Sequence, residues 1–265
     1  MRYAIVSDIH SNRQAFKAVL SDISGQRIDE VISLGDLVGY GPSPKEVLLL
    51  AKENVTHFVM GNHDAAICGK FPTEQFIDTA RTIIEWTGKK LDRYAVKFLA
   101  SMPFLHEDEG FACTHGSFVD PMEFGYTCSD EEAKEAFDVR KEQILFVGHS
   151  HLPGMHITGK SGKVYWLKPE DFGGDFKLEN GKRYIVNVGS VGDPRNNELE
   201  ASYCIWDSGA KTVHFRKITF YIDGFRQDLH AAGLPEDASC FLQYYLSRIK
   251  ARKAARSAKK EFATG

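Results

Sequence analysis

Tyr3-Ala4-Ile5-Val6 runs directly into Ser7-Asp8-Ile9-His10, and the same pattern recurs four more times along the chain. Val31-Ile32-Ser33-Leu34 gives way to Gly35-Asp36, and Phe58-Val59-Met60 to Gly61-Asn62-His63-Asp64. Phe111-Ala112-Cys113 is followed by His115-Gly116, and Ile144-Leu145-Phe146-Val147 by Gly148-His149-Ser150-His151. Short apolar runs that stop at Gly read as buried strands. In open sheets with helical crossovers, ligands collect at the carboxyl edge of the strands. Asp, His and Asn brought repeatedly to that edge offer the oxygen and imidazole donors that hold transition metals.

Between these runs the first sixty residues alternate strand and helix. Strands are expected over residues 3–6, 30–34 and 56–60. A helix over 13–23 carries Phe16, Val19, Leu20 and Ile23 on one stripe, and a second over 43–51 starts with Ser43 as N-cap and Pro44 at its first position. Such β-α-β-α-β order implies parallel pairing with right-handed crossovers. Residues 73–101 read as helical with a break near Gly88, 104–114 as a hairpin, and 129–137 as a helix with Ser129 as N-cap. Past Gly148 the chain is strand-rich, over 163–167, 183–188, 202–206 and 211–220, with a hairpin through Asp207-Ser208-Gly209-Ala210. The fold class is therefore α/β, two facing sheets with helices outside. One domain over 1–240 and a basic C-terminal helix or tail over 241–265 are expected.

Composition narrows the class. Hydrophobic content of 43% and charged content of 26% over 265 residues are ordinary for a soluble globular protein. The net charge of −3 conceals a basic end, with Arg248, Lys250, Arg252, Lys253, Arg256, Lys259 and Lys260 close together. Five scattered cysteines contain no C-x-x-C pair, which argues against a thiolate zinc cage or a disulfide framework. Cys113 and Cys204 lie in apolar runs and are expected in the core. No stretch approaches the roughly 18 apolar residues of a membrane helix, and the first strand leaves no room for a signal peptide. A cytoplasmic, soluble protein is the expectation.

Asp8 and His10 stand two apart, as do His149 and His151, so on an extended strand end each pair faces one way. With Asp36, Asn62 and His115 this makes seven candidate ligands. One metal takes four to six, so seven divide between two metals when one carboxylate is shared. Asp36 is the expected bridge, because it offers two oxygens. Two cations about 3.5–4 Å apart are able to hold a hydroxide and clamp an in-line phosphoryl displacement. His63, beside a ligand, is then placed to protonate the leaving oxygen. Any one of these clusters alone is usually incidental; the conjunction at five strand ends carries the argument. His57, His106, His156, His214 and His230 lack that setting.

The ordered set D-x-H, G-D, G-N-H-D, H-G and G-H-x-H resembles the calcineurin-like metallophosphoesterase superfamily. Residues 7–12, 35–42 and 187–195, with the 86–103 stretch and Ala201-Ser202-Tyr203, resemble its small bacterial and archaeal phosphodiesterase-type members. The likeness covers residues 1–222. It implies a four-layer αββα sandwich of two mixed sheets. By position it places Asp8, His10, Asp36 and His151 on one metal and Asp36, Asn62, His115 and His149 on the other, with His63 as general acid. It implies two divalent transition metal ions, Mn foremost, with Fe, Zn, Ni or Mg as alternatives.

One departure is informative. Protein phosphatases and symmetrical diadenosine tetraphosphatases of that superfamily carry G-D-x-x-D-R-G, whereas this chain reads Gly35-Asp36-Leu37-Val38-Gly39-Tyr40-Gly41. Gly39 stands where an Asp would orient the catalytic His, and Tyr40 where an Arg would grip a terminal phosphate. Asp64 is the candidate replacement partner for His63. Loss of the clamp penalises a doubly charged monoester more than a diester, so phosphodiester hydrolysis on cyclic or short nucleotides is the expected function. Phosphomonoester or dinucleoside polyphosphate hydrolysis is the alternative, and a non-catalytic binding protein a third. Asn12 is a candidate substrate contact or simply a helix N-cap. Arg195 is a candidate phosphate contact that would rebuild the clamp, or an ordinary ion pair. Phe118 and Tyr126 are candidates for stacking on a base. The basic tail offers nucleic acid electrostatically, with a solvated helix as the plainer reading. The 241–249 stretch has one apolar face to dock.

Overall fold

The computed structural model describes residues 1–195, 199–236 and 239–251. Its centre is two six-stranded mixed sheets. The first runs in the order β3 (His57–Phe58), β2 (Glu30–Ser33), β1 (Arg2–Val6), β11 (Glu200–Asp207), β12 (Thr212–Thr219) and β9 (Asp175–Lys177). The second runs β4 (Leu105–Asp108), β5 (Phe111–Thr114), β6 (Ile144–Val147), β10 (Arg183–Asn187), β7 (Gly154–Thr158) and β8 (Val164–Leu167). Strands β1, β2 and β3 pair in parallel, as do β5, β6 and β10, so their carboxyl ends share an edge within each sheet.

The period-two alternation of side chains decides how the layers stack. Tyr3 and Ile5 of β1 point inward to meet Phe111, Ile144, Phe146, Tyr184 and Val186 of the second sheet, all nearly inaccessible to solvent. Ala4 and Val6 point the other way, onto Phe16, Val19 and Ile23 of α1 (Arg13–Ser24) and Val47, Leu48 and Ala51 of α2 (Pro44–Asn54). Leu145, Val147 and Ile185 of the second sheet pack outward on Ala133, Ala136 and Phe137 of α6 (Asp130–Val139). The result is helix, sheet, sheet, helix, the sandwich expected from the sequence.

Local signals were read with mixed success. Ser129 and Glu132 form a reciprocal capping box, each bonded to the other's backbone N–H at 3.1 and 2.9 Å. Ser43 precedes α2 but makes no side-chain cap bond. The 73–101 stretch splits into α4 (Asp78–Lys90) and α5 (Arg93–Ser101). The break falls at Leu91-Asp92, because Asp92 accepts from Tyr94 N and Ala95 N and so starts a new helix. Gly88 stays inside α4, with open space where a side chain would go. Residues 62–67 form the short helix α3 (Asn62–Ile67), which opens directly after Gly61. Strand β3 is two residues long rather than five, and β7 and β9 were not anticipated. Beyond α7 (Ile222–Ala232), residues 240–251 are helical. Phe241 and Leu242 of that helix are buried with Ile83, Phe225 and Leu229. The rest of the basic tail lies outside the described residues. Among the described residues, no helix is long and apolar enough to cross a membrane.

Candidate metal centre

Past their last paired residues the strands continue as tightly bonded loops. Asp8 N bonds Gly35 O at 3.0 Å, His10 N bonds Asp36 O at 2.9 Å, and Gly148 N bonds His115 O at 2.8 Å. Within them Asp8, His10, Asp36, His149 and His151 all adopt left-handed backbone, with φ between 48° and 63°. Residues of this kind held there cost on the order of 1 kcal/mol or more each, and such strain clusters at functional sites. The shared orientation of Asp8 and His10, and of His149 and His151, therefore comes from left-handed loop residues. It does not come from the pleat of an extended strand end, as the spacing suggests.

The seven candidate ligands converge. Asp8 Oδ1 lies 3.2 Å from His151 Nε2, 3.8 Å from His10 Nε2 and 3.9 Å from His115 Nε2. Asp36 Oδ2 lies 3.4 Å from His115 Nε2 and 3.6 Å from His10 Nε2. His115 Nε2 is also 3.2 Å from Asn62 Oδ1 and 3.1 Å from His149 Nδ1. Two groupings able to hold a metal emerge, Asp8 with His10 and His151, and Asp36 with His115 and His149; a third overlaps both, joining His10, Asp36 and His63.

Each carboxylate spends one oxygen on the fold and turns the other inward. Asp8 Oδ2 accepts from His149 N at 3.0 Å and Asp36 Oδ1 from His63 N at 2.9 Å. Asp36 Oδ2 is the oxygen that stands near both groupings, at 3.6 Å from His10 Nε2 and 3.4 Å from His115 Nε2. Gly61 is required here, since a Cβ on it would sit 2.1 Å from Asp36 Oδ1.

The donor set fits cations on three counts. His10 donates Nδ1–H to Val38 O at 3.3 Å, His115 to Leu34 O at 2.9 Å, and His151 to Asp193 O. Those bonds leave each Nε2 with its lone pair inward, the arrangement of metal-ligating histidines. Asp8 Oδ1 is buried with no hydrogen-bond partner. Among the described residues no Lys or Arg pairs with Asp8 or Asp36, although both carboxylates are fully buried. A buried carboxylate needs a counter-charge. Without metal the cluster takes it from a proton: burial opposes a charge on His115, but Asp36 and Asp8 raise it to about 9. Burial, with His115 beside it, drives His149 down to about 3.

His63 is buried, its Nε2 4.0 Å from Asp36 Oδ2, and its ring is wedged by Tyr40, Phe76 and His10 at centroid distances of 4.7, 4.9 and 4.9 Å. Burial pushes its pKa below the ordinary value. Its Nδ1 has no hydrogen-bond partner. Asp64 does not supply one. Its carboxylate accepts from Leu37 N, Val38 N and Gly61 N at 3.2–3.3 Å and so ties two site loops together. Burial and the nearby Asp36 raise it to about 7. Asn12 is likewise spent on the fold, capping α1 at Ala15 N and donating to Gly192 O, and it is fully buried away from the cleft.

The centre floors a cleft of about 530 Å³. Arg195 lines it, with Nε 3.8 Å from Asp193 Oδ2. Burial opposes its charge, and Asp193 more than offsets that. Tyr126 also lines the cleft, one ring face stacked on His149 at 4.2 Å. Phe118 does not, being buried against α6. His57, His106, His156, His214 and His230 lie outside the cluster; the rings of His57 and His106, for example, meet each other at 4.5 Å, tilted by 31°. Sequence reasoning missed Tyr40 and Phe76 as the packing around His63. It also missed Asp193, although that residue lies within the 187–195 stretch.

The family model described as the calcineurin-like phosphoesterase superfamily domain matches residues 1–211. A metallophosphoesterase of Sphaerobacter thermophilus of known structure is 33% identical, covers 92% of this chain and 98% of its own, and superposes with a TM-score of 0.79. An uncharacterized protein of Methanocaldococcus jannaschii is 32% identical over 237 residues, 88% of this chain and 93% of that protein. A hypothetical protein of Pyrococcus horikoshii, 20% identical over 89% of this chain and 95% of its own, shares the fold with a TM-score of 0.71.

Proposed function

The chain belongs to the calcineurin-like phosphoesterase superfamily, and we propose that within it the protein is a dinuclear metal-dependent phosphodiesterase acting on cyclic or short nucleotides. The observation that carries the dinuclear reading is the inward oxygen of Asp36. It stands 3.6 Å from His10 of one grouping and 3.4 Å from His115 of the other, so a single oxygen serves both. In this reading Asp8, His10, Asp36 and His151 hold one cation, and Asp36, Asn62, His115 and His149 the other. Mn is the first candidate. Bound there, two divalent ions supply positive charge to a phosphoryl group and lower the pKa of a water.

The chain's own groups do the rest. His63 holds a proton at Nε2 and delivers it to the departing oxygen, its ring kept in place by Tyr40 and Phe76 rather than by a carboxylate. The side chains of the floor are nearly inaccessible to solvent, and a poorly hydrated floor strengthens each electrostatic contact with the phosphate. Arg195 offers the guanidinium that the 35–41 stretch lacks.

Tyr40 in place of an arginine leaves one phosphate face without charge, which favours a diester. Arg195 in the cleft favours the second reading, hydrolysis of a phosphomonoester or dinucleoside polyphosphate. The test is hydrolysis of bis-p-nitrophenyl phosphate beside p-nitrophenyl phosphate, after chelation and re-addition of Mn. The diesterase reading expects Mn-dependent cleavage of the first and weak cleavage of the second. A preference for the monoester would overturn it.

A further inference from the structure

The family model stops at residue 211, yet the cleft does not. Cys240 and Gln243, from the start of the C-terminal helix, line it together with Arg195. What holds that segment against the site is Asp193, which is fully buried. Its Oδ1 accepts from Ser239 Oγ at 2.8 Å and from Phe241 N at 3.3 Å. Its backbone carbonyl accepts from His151 Nδ1, and its Oδ2 faces Arg195. One aspartate thus joins a candidate metal ligand, a cleft arginine and the C-terminal segment. Phe241 and Leu242, buried beside Phe225 and Leu229, fasten the other side. This anchoring is too thorough for a tail that merely rests on the surface.

Elsewhere the cleft is aromatic. Phe71, Phe76 and Tyr126 line it, with the exposed Ile77 at 72% accessibility. A volume of about 530 Å³ is in the range that accepts a ligand of nucleotide size. Flat apolar walls suit the face of a nucleobase. A carboxamide, which both donates and accepts, suits its edge.

We propose that residues 239–243 form the selective wall of the cleft, with the Gln243 amide reading the nucleoside side of the ester and Asp193 latching that wall to Arg195. This rests on the phosphodiesterase reading above. It assigns a substrate contact to a segment beyond the matched domain, and it explains why Asp193 serves the cleft and the C-terminal helix at once.

The test compares two esters with the same leaving group, bis-p-nitrophenyl phosphate and the p-nitrophenyl ester of thymidine 5′-monophosphate. Gln243 is exposed on a helix, and an unchanged urea midpoint of Gln243→Ala checks that the fold is kept. Loss of its hydrogen bonds should lower kcat/KM for the thymidine ester about tenfold, with bis-p-nitrophenyl phosphate unchanged. Ser239→Ala, which loosens the latch, should give the same selective loss at smaller size. Equal losses on both esters, or none, would overturn the proposal. A readout independent of turnover is alkylation of Cys240, followed by peptide mass spectrometry. Thymidine 5′-monophosphate should protect Cys240 in the wild type and not in Gln243→Ala. Absence of protection overturns the wall. A wild type that cleaves neither ester while Cys240 is protected overturns the diesterase reading alone.

Discussion

Replacing Gly39 by Ala tests whether the ring of His63 is positioned for catalysis. Gly39 has φ +97°, and a Cβ there would lie 2.4 Å from His63 Nδ1 and 3.0 Å from its Cγ. Carbon and nitrogen atoms settle near 3.5 Å apart, so the imidazole must retreat by about 1 Å. It has nowhere free to go, since Tyr40, Phe76 and His10 already pack around it. A displacement of about 1 Å of a reacting group costs on the order of 100-fold in rate. The positive φ adds about 1–3 kcal/mol of destabilisation. The three nearest atoms to the new methyl all belong to His63, so the strain falls on that ring first and reaches the candidate ligands only through its packing on His10. The expected result is kcat on bis-p-nitrophenyl phosphate down about 100-fold, metal content by elemental analysis unchanged, and a lower urea midpoint. His63→Ala should fall at least as far, and Gly39→Ala added to it should cost no further rate, since both act through one group. A Gly39→Ala enzyme within threefold of wild type, or a double variant that loses the second factor in full, would refute the role given to His63.

Chelation should lower the thermal midpoint and re-added Mn restore it; at a hundredfold excess over Kd the gain is about 2.7 kcal/mol, several degrees for a chain of this size. An unmoved midpoint would mean that the cluster binds no cation. Arg195→Ala should raise KM for the thymidine ester about 10–100-fold, as loss of a charged hydrogen bond does, and Arg195→Lys should recover little because the planar fork is lost; an unchanged KM removes Arg195 from the substrate. Asp64 titrates at about 7 when folded, above its ordinary 3.8, so the metal-free fold holds a proton that the unfolded chain releases. Its contribution to stability is full below the ordinary value and fades as pH rises towards 7. Urea midpoints of metal-free Asp64→Asn should therefore decline less between pH 4 and 7 than those of wild type, and equal slopes would contradict the assignment.

Most of the fold was legible because period-two and 3.6-residue patterns coexist in the first sixty residues, where parallel strands need buried apolar runs and amphipathic crossovers. The misses have physical causes. Gly61-Asn62 is turn chemistry, yet Asp64 starts a helix there by accepting from Gly61 N at 3.2 Å. The break near Gly88 failed because a glycine inside a helix costs only about 1 kcal/mol, while Asp92, four residues on, caps two N–H groups at once. Strand β9 is three residues long and half exposed, which leaves almost no alternation to read.

In the site, residue types were legible and their geometry was not. Asp and His after an apolar run announce ligands, but the spacing suggested an extended pair where the chain adopts left-handed backbone at five of seven positions. Branched or bulky residues avoid that region, while Asn, Asp and His tolerate it best, so the residue types able to ligate a metal are also among those able to make the turn. The same economy explains why Asn12 serves as the helix N-cap that was one of its two readings, and why Asp64 is not the partner of His63. Asp64 and Asn12 sit beside ligands in the sequence and look catalytic for that reason, yet their polar atoms are consumed in holding the loops that carry Asp36 and Asp8. A buried polar group must find partners, and near a cluster of convergent lone pairs the nearest unpaired partners are backbone N–H groups. Among the described residues lining the cleft, the buried side-chain nitrogens without a hydrogen-bond partner are His63 Nδ1 and Arg195 Nε. Unmet bonds of this kind, rather than sequence neighbourhood, mark the side chains that the fold has not already used up.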